Sequence, residues 1–155
     1  MGGTRCGRPS LIVLPDVNVL VYAFRRESTR HDDYATWLAE LLRGVDEVAL
    51  TEGTLTGFLR IVTNPRVYAD PAPTSEAMRF LEAVRSAHRR RWVTVTDSVW
   101  STFAAITGGD SQLRGNLVPD AWLAALAVAH GCHLATADRG FARFGRLQWF
   151  DPAPG

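Results

Sequence analysis

The chain has 155 residues, of which 46% are hydrophobic and 21% charged, and its net charge is +1. This composition is typical of one globular domain with a substantial core, and it gives no sign of a uniformly basic surface for nucleic acid. Two cysteines are too few for a disulfide framework, and no apolar run approaches the roughly 18 residues of a membrane span. Because the N-terminus also lacks the apolar core of a secretory signal, we expect a cytoplasmic protein without a membrane segment.

The absence of lysine excludes several classes of enzyme. All 17 Lys and Arg positions are arginine, so the chain has no lysine. A P-loop requires the GK[ST] signature, and Schiff-base chemistry requires a lysine amine. Receiver domains and haloacid-dehalogenase-like phosphatases also use a lysine, and Asp16-Val17-Asn18 lacks the second aspartate of the phosphatase DxD motif. None of these activities fits the sequence.

The first half of the chain alternates short apolar runs with helical patterns. The run 11–14 predicts a buried strand, and Val17–Phe24 predicts a helix that ends at the charged sequence RRESTR. Apolar residues spaced three and four apart predict a helix over 32–43, and Thr51 can cap a later one. After a flexible tail at 1–9, this half is expected to contain strands at 11–14 and 48–50 and helices at 17–24, 32–43, 52–63 and 76–88.

The second half continues the alternation of strands and helices. Pro119 precedes a strongly apolar helical pattern that Gly131 ends, and a Gly-rich stretch at 108–116 predicts a loop before it. We expect an α/β fold of three layers, with helices on both faces of a mostly parallel sheet of four or five strands. The domain is predicted over 10–151, before a tail at 152–155, with strands at 92–95, 133–136 and 148–150 and helices at 98–106 and 120–129.

Three aspartates fall at positions where a parallel sheet forms its functional cleft. Asp16 and Asp138 each follow a predicted strand, and Asp120 opens the helix after the Gly-rich loop. Asp120 alone also suits an ordinary helix start and Asp138 an ordinary turn, whereas the apolar setting of Asp16 leaves few such explanations. Together they can converge at the carboxyl ends of the strands, where clustered carboxylates repel one another unless a cation compensates. Oxygen ligands of this kind suit Mg²⁺ or Mn²⁺.

Three stretches of the sequence carry a family resemblance: DVNVLVYAF from Asp16, NLVPDAWLAALA from Asn116 and LATADRGFARF from Leu134. They resemble the PIN-domain ribonucleases, and more closely the VapC toxins of type II toxin–antitoxin systems, over about residues 11–151. The resemblance implies a PIN-like fold in which four acids hold one or two Mg²⁺ or Mn²⁺ ions and RNA is hydrolysed. It also implies a cognate VapB-like antitoxin and a homodimer. The antitoxin is expected to dock on the helix at 32–43 and on the helix after Thr51.

The resemblance assigns roles to individual residues. Asp16 matches the first acid of the family, Asp120 the third and Asp138 the fourth. Asn18 and Thr136 match the polar residues that usually support the first and fourth acids. The implied metal ligands are therefore Asp16, Asp120 and Asp138.

The second acid is where the sequence departs from the family pattern. The family usually places a glutamate at the level of Gly57, and the only acid on this predicted helix is Glu52 in its first turn. Glu52 falls on the same side as Leu55 and Leu59, so we name it as the candidate and Asp110 as the reserve. The departure leaves open a degenerate PIN domain that binds RNA or antitoxin without cleaving.

Several basic and aromatic residues flank the predicted cleft elements and are candidates for RNA contacts. Arginines suit phosphates because of their planar fork of donors, and aromatic rings can stack on bases, although both also serve ordinary surfaces and cores. The arginine candidates are Arg25, Arg60 and Arg114, followed by Arg26 and Arg66, and the aromatic ones are Tyr22, Trp122 and Trp149.

Overall fold

Five short strands form the centre of the fold in the computed structural model, which describes residues 7–154. All pairings between neighbouring strands are parallel. The chain order reverses beside the first strand, which pairs with the second on one side and with the fourth on the other. The strands are β1 (Ile12–Pro15), β2 (Glu47–Leu50), β3 (Arg90–Trp92), β4 (His133–Ala135) and β5 (Gln148–Phe150), in the spatial order β3-β2-β1-β4-β5.

Helices connect the strands in the predicted order, which confirms the α/β fold class. Thr51 caps its helix as expected, with its hydroxyl oxygen accepting a hydrogen bond from the Gly53 N–H at 3.2 Å. The helices are α1 (Val17–Phe24), α2 (His31–Arg43), α3 (Glu52–Val62), α4 (Thr74–Arg85), α5 (Asp97–Gly108) and α6 (Leu117–Ala129), and a short 3₁₀ helix spans Arg139–Arg143.

Several element boundaries differ from the prediction, and two of these differences have structural consequences. Helix α6 begins at Leu117, so Asp120 lies within its first turn and does not open it. Strand β3 forms at 90–92, where charged residues end the predicted helix, and not along the apolar run 92–95. All three residues of β3 are exposed, and Glu47 of β2 pairs with Arg91 at 2.7 Å. This edge strand is stabilised by pairing with β2 and by charge, which a search for apolar runs does not detect.

The sheet separates two apolar cores and so creates three layers. Successive residues of a strand point to opposite faces, and Val13 and Leu14 accordingly contribute to different cores. Helices α1 to α4 cover one face, where the rings of Phe24, Phe58 and Phe80 pack at centroid distances of 5.0–5.3 Å. Helices α5 and α6 cover the other face.

The described ends of the chain pack onto the domain. Arg8, which belongs to the predicted N-terminal tail, pairs with Asp46 at 2.7 Å, and Ala153 of the predicted C-terminal tail is buried. Residues 1–6 and 155 of those tails lie outside the described residues. Among the helices of residues 7–154, none has both the length and the apolarity to cross a bilayer.

Tyr34 connects α2 to the C-terminal segment. Its hydroxyl donates a hydrogen bond of 2.8 Å to Asp151 Oδ1, and burial, followed by the nearby carboxylate, raises the pKa of Tyr34. We expect Tyr34→Phe to lower the free energy of unfolding by about 1 kcal/mol, because one hydrogen bond is lost at a buried position. Urea unfolding measures this change. Tyr22→Phe is the control, since within residues 7–154 the Tyr22 hydroxyl has no hydrogen-bond partner, and equal losses in both variants would contradict the prediction.

Candidate active site

The site is built around the Asp16 carboxylate, at the end of the central strand β1. The Asp16 N–H continues the sheet by donating to the Ala135 carbonyl at 2.9 Å. Its side chain caps α1, with Oδ1 accepting from the Val17 N–H at 2.7 Å. The other oxygen, Oδ2, accepts from the Thr136 hydroxyl at 2.8 Å. Asp16 is 8% exposed and Thr136 is fully buried, so these two bonds fix the direction of the carboxylate.

Thr136 also joins the two polar residues on either side of it. Its oxygen accepts hydrogen bonds from Asn18 Nδ2 at 3.2 Å and from the Asp138 N–H at 3.0 Å. Asn18 Oδ1 accepts from the Ala137 N–H at 3.2 Å. One hydroxyl therefore links the segment after β1 to the segment after β4. The structure brings Asn18 and Thr136 to the supporting positions that the sequence predicts for them.

The two remaining aspartates lie beside this network on different elements. Asp138 is exposed, and its Oδ1 caps the 3₁₀ helix by accepting from the Gly140 N–H at 2.8 Å. Asp120 extends from the first turn of α6 and is half-buried. The sequence predicts that these three carboxylates converge, and in the structure, although they come from three separate segments, their charges act on one another.

The charges of these carboxylates affect one another. Burial raises the pKa of Asp16, the hydrogen bonds from Thr136 and Val17 oppose that rise, and the charge of Asp138 adds to it. The pKa of Asp120 is also raised by burial, and then by Asp138 and Asp16, while Arg143 lowers it. Mutual repulsion between carboxylates is the condition that a bound cation relieves.

The donor set fits a hard divalent cation that keeps part of its water shell. The Asp16 oxygens have fixed directions, and carboxylate oxygens are the ligands that Mg²⁺ and Mn²⁺ prefer. Within residues 7–154, no three His, Cys, Asp or Glu side chains stand close enough to enclose an ion on their own. Mg²⁺ sites commonly use one or two carboxylates and several waters, which the arrangement permits.

A cleft of about 640 Å³ opens beside Asp16, between α3 and α6 and above the segment 93–95. Asp16, Glu52 and Asp120 line it together, so Glu52 faces the cleft as its helical position predicts. Gly57 lines the same wall, and a Cβ atom there would lie 3.2 Å from Val17 Cγ2. A side chain at position 57 would therefore press on Val17, while Glu52 offers its carboxylate one turn earlier.

The predicted arginines are placed in different environments. Arg60 lines the cleft and is exposed, whereas Arg114 is exposed outside the cleft lining. Arg25 lies 4.0 Å above the Tyr68 ring and donates to the Asp70 carbonyl at 3.0 Å, so it is held in contacts within the protein. Arg26 lines the same separate depression as Arg25, and Arg66 is exposed on the loop after α3.

Asp110, the reserve for the second acid, lies outside the cleft lining and forms an ion pair with Arg143 at 3.2 Å. Arg143 was not predicted as a site residue. It follows Asp138 by five positions, and the 3₁₀ helix brings its charge close enough to act on Asp120. No sequence pattern predicts that short helix, although Arg143 belongs to the stretch that carries the family resemblance.

The aromatic candidates also lie in different parts of the structure. Trp122 lines the cleft, Tyr22 packs on Tyr34 at a centroid distance of 5.2 Å, and Trp149 packs against the core beneath α6. The structure adds Trp100 of α5, which is 61% exposed and lies 6.1 Å from Trp122 between ring centroids. Sequence reasoning missed Trp100 because the pattern of α5 predicts only a short helix and marks no residue on it for a site.

Comparison with known proteins defines the class. The family model "PIN domain" matches residues 13–147, so the chain belongs to the PIN-domain family, and its relatives place it among the VapC-type members. It is 37% identical to ribonuclease VapC43 of Mycobacterium tuberculosis over 140 residues, which cover 90% of this chain and 95% of the relative. It is 34% identical to ribonuclease VapC31 of the same organism, over 90% of this chain and 97% of the relative.

Solved structures show the same fold at lower sequence identity. VapBC2 from Rickettsia felis, bound to a promoter DNA fragment, matches with a TM-score of 0.67 and 18% identity, over 91% of this chain and 98% of that one. FitAcB from Neisseria gonorrhoeae matches with a TM-score of 0.62 and 20% identity, over 90% and 97%. These matches extend over nearly the whole chain and agree with the three-layer PIN fold.

The repulsion at Asp120 leads to a stability prediction. Because the folded state raises the pKa of Asp120, its contribution favours folding at low pH and is lost as the pH rises through the raised value. We expect Asp120→Asn to raise the melting temperature of the metal-free protein at neutral pH by about 1–3 °C, and to change it little near pH 4. Thermal unfolding in EDTA measures both values.

Asp97→Asn is the matched control for this prediction. Asp97 is also an acid in the first turn of a helix, but it is exposed and lies outside the cleft lining. Its loss removes only the favourable interaction with the helix dipole, so the melting temperature should fall by about 1–2 °C. Equal shifts in the two variants at neutral pH would show that the carboxylates do not repel one another.

Proposed function

We propose that the protein is a metal-dependent endoribonuclease of the VapC type that hydrolyses RNA phosphodiesters at the Asp16 site. The observation that carries this proposal is that Asp16 and Asp120 line one cleft, while the Asp138 N–H and the Asp16 carboxylate share the Thr136 hydroxyl as a hydrogen-bond partner. The relatives at 34–37% identity bear the name ribonuclease, which supports the same class of substrate. The reaction needs no nucleophilic side chain, since water can attack the phosphate.

Each residue at this site has a separate role. Thr136 and the Val17 N–H orient Asp16, and the Gly140 N–H orients Asp138. Asp16, Asp120 and Asp138, together with waters, would hold Mg²⁺ or Mn²⁺, and the ion would supply the charge that activates a water and neutralises the phosphate oxygens. Glu52 supplies a fourth carboxylate on the α3 wall, and Arg60 supplies a positive charge for the RNA backbone.

We further propose that a VapB-like antitoxin neutralises the enzyme. Several of the solved structures with this fold are named as VapBC complexes, which supports a protein partner of that kind. We propose that its segment docks on α2 and α3 and so covers the α3 wall of the cleft. The family resemblance also supports a homodimer.

Removal of the Asp138 charge should abolish most of the activity. The asparagine side chain of the Asp138→Asn variant retains the oxygen that accepts from Gly140, so the substitution preserves the local fold. We expect its kcat/KM for RNA with Mg²⁺ or Mn²⁺ to fall roughly 100-fold or more, and EDTA to abolish cleavage by the unmodified protein. Asp16→Asn should be equally inactive. Asp97→Asn should cleave normally, and full activity of Asp16→Asn would exclude the assigned site.

Glu52 can be tested separately as the second acid. We expect Glu52→Gln to reduce kcat at least about 10-fold at saturating RNA, with little change in melting temperature because Glu52 is exposed. Glu76→Gln is the control, since Glu76 is also an exposed acid in the first turn of a helix and lies outside this cleft. Normal turnover by Glu52→Gln would show that the enzyme works with three acids.

A non-cleaving PIN domain is the alternative function. The glycine at position 57, where the family usually has a glutamate, is the observation that favours it. Such a protein would bind RNA or antitoxin without turnover. Calorimetric titration with Mn²⁺, together with cleavage assays on the same preparation, distinguishes the two functions. Micromolar metal binding that Asp16→Asn abolishes, combined with metal-dependent cleavage, supports the enzyme.

A further inference from the structure

The lining of the cleft also includes apolar and aromatic side chains, namely Val93, Val95, Trp122 and Leu126. Val95 is 64% exposed, so this apolar lining reaches solvent. A site for metal and phosphate requires no such surface, and the apolar lining therefore needs its own explanation.

Three aromatic rings continue this apolar lining onto the surface of α5. Phe103 packs edge-on against Trp122 at a centroid distance of 5.2 Å and lies 5.6 Å from Trp100. Trp100 lies 6.1 Å from Trp122 and keeps 61% of its area exposed. Phe103 and Trp122 thus support Trp100 from within the protein. A large, rigid aromatic surface remains available beside the cleft.

We propose that Trp100 and Trp122 form a stacking site for an unpaired base of single-stranded RNA, next to the phosphate that is cut. This inference rests on the proposed ribonuclease function and deepens it by naming the side chains that would hold a base. Exposed aromatic rings beside a phosphate-binding site are the usual means of holding splayed bases, and such stacking tolerates any base. A nucleotide presents both a flat ring and an anion, which matches the aromatic and the charged side chains of this cleft.

The charge on the opposite wall favours a nucleotide over a purely apolar occupant. Arg60 lines the cleft from α3 and forms no ion pair with any residue in the range 7–154. It is exposed, so its guanidinium can reach a backbone phosphate. A strand that lies between α3 and α6 would place a phosphate toward Arg60 and a base toward Trp122. Removing a base from a duplex costs the free energy of unpairing and unstacking, so the site favours RNA that is already unpaired.

Binding to short oligonucleotides in EDTA tests the proposal without cleavage. The probes are a mixed-sequence single-stranded RNA, the same length of ribose-phosphate chain without bases, and an RNA duplex, each measured by fluorescence anisotropy. We expect the unmodified protein to prefer the RNA over the baseless chain by roughly 5- to 100-fold. Trp100→Leu should lose most of that preference, whereas its affinity for the baseless chain and for the duplex should not change.

Two further variants separate stacking from structural effects. Trp100→Phe keeps an aromatic face and should retain most of the preference for RNA with bases. Trp92→Leu removes another exposed tryptophan, 45% exposed and outside the cleft lining, and should bind all probes like the unmodified protein. Melting temperatures of the three variants confirm that each is folded.

The outcomes distinguish failure of stacking from failure of the proposed function. If the unmodified protein cleaves RNA but Trp100→Leu keeps the full preference for bases, the proposed stacking site is wrong and the proposed ribonuclease function is retained. If Trp100→Leu instead converts a dimer into a monomer with unchanged RNA affinity per protomer, the surface binds a second copy and the proposal is overturned. If the unmodified protein neither binds nor cleaves RNA, both proposals fall.

Discussion

The hydrogen bond from the Thr136 hydroxyl to the Asp16 carboxylate joins two segments that are 120 residues apart in the chain. It forms because β1 and β4 are neighbours at the centre of the sheet and end at the same edge. The same hydroxyl accepts from Asn18 and from the Asp138 N–H, so the start of α1 and the turn after β4 share one buried oxygen. The direction of Asp16, the position of Asp138 and the entry into α1 all depend on this contact.

This arrangement places charge where burial disfavours it. The folded protein raises the pKa of both Asp16 and Asp120, partly through desolvation and partly through carboxylates that repel one another. Arg143 offsets some of the repulsion at Asp120, but it is also paired with Asp110 at the end of a loop. The site is thus less stable than a neutral one of the same shape, which is common where a protein is arranged to bind a cation.

The cleft combines two kinds of surface along one groove. Asp16, Glu52 and Asp120 contribute carboxylates to its lining, and Trp122 continues the lining into the exposed ring of Trp100. Gly57 packs against Val17 in the α3 wall, and Glu52 is the proposed second acid. The proposed chemistry and the proposed contact with an unpaired base therefore use different side chains of one cleft.

Local patterns in the sequence determined the order of strands and helices, and with it the three-layer fold, because apolar periodicity, caps and turn residues act over a few positions. Contacts between distant segments decided the rest, including the approach of Asp16, Asp120 and Asp138 to one another. Strand β3 formed at charged residues because β2 pairs with it and Glu47 forms an ion pair with Arg91. Arg25 packs on Tyr68, and Asp110 forms an ion pair with Arg143, so both are held in contacts within the protein. Trp100 became a surface beside the cleft only because α5 packs on α6. Such neighbours are set by the packing of the whole chain, which no short window of sequence contains.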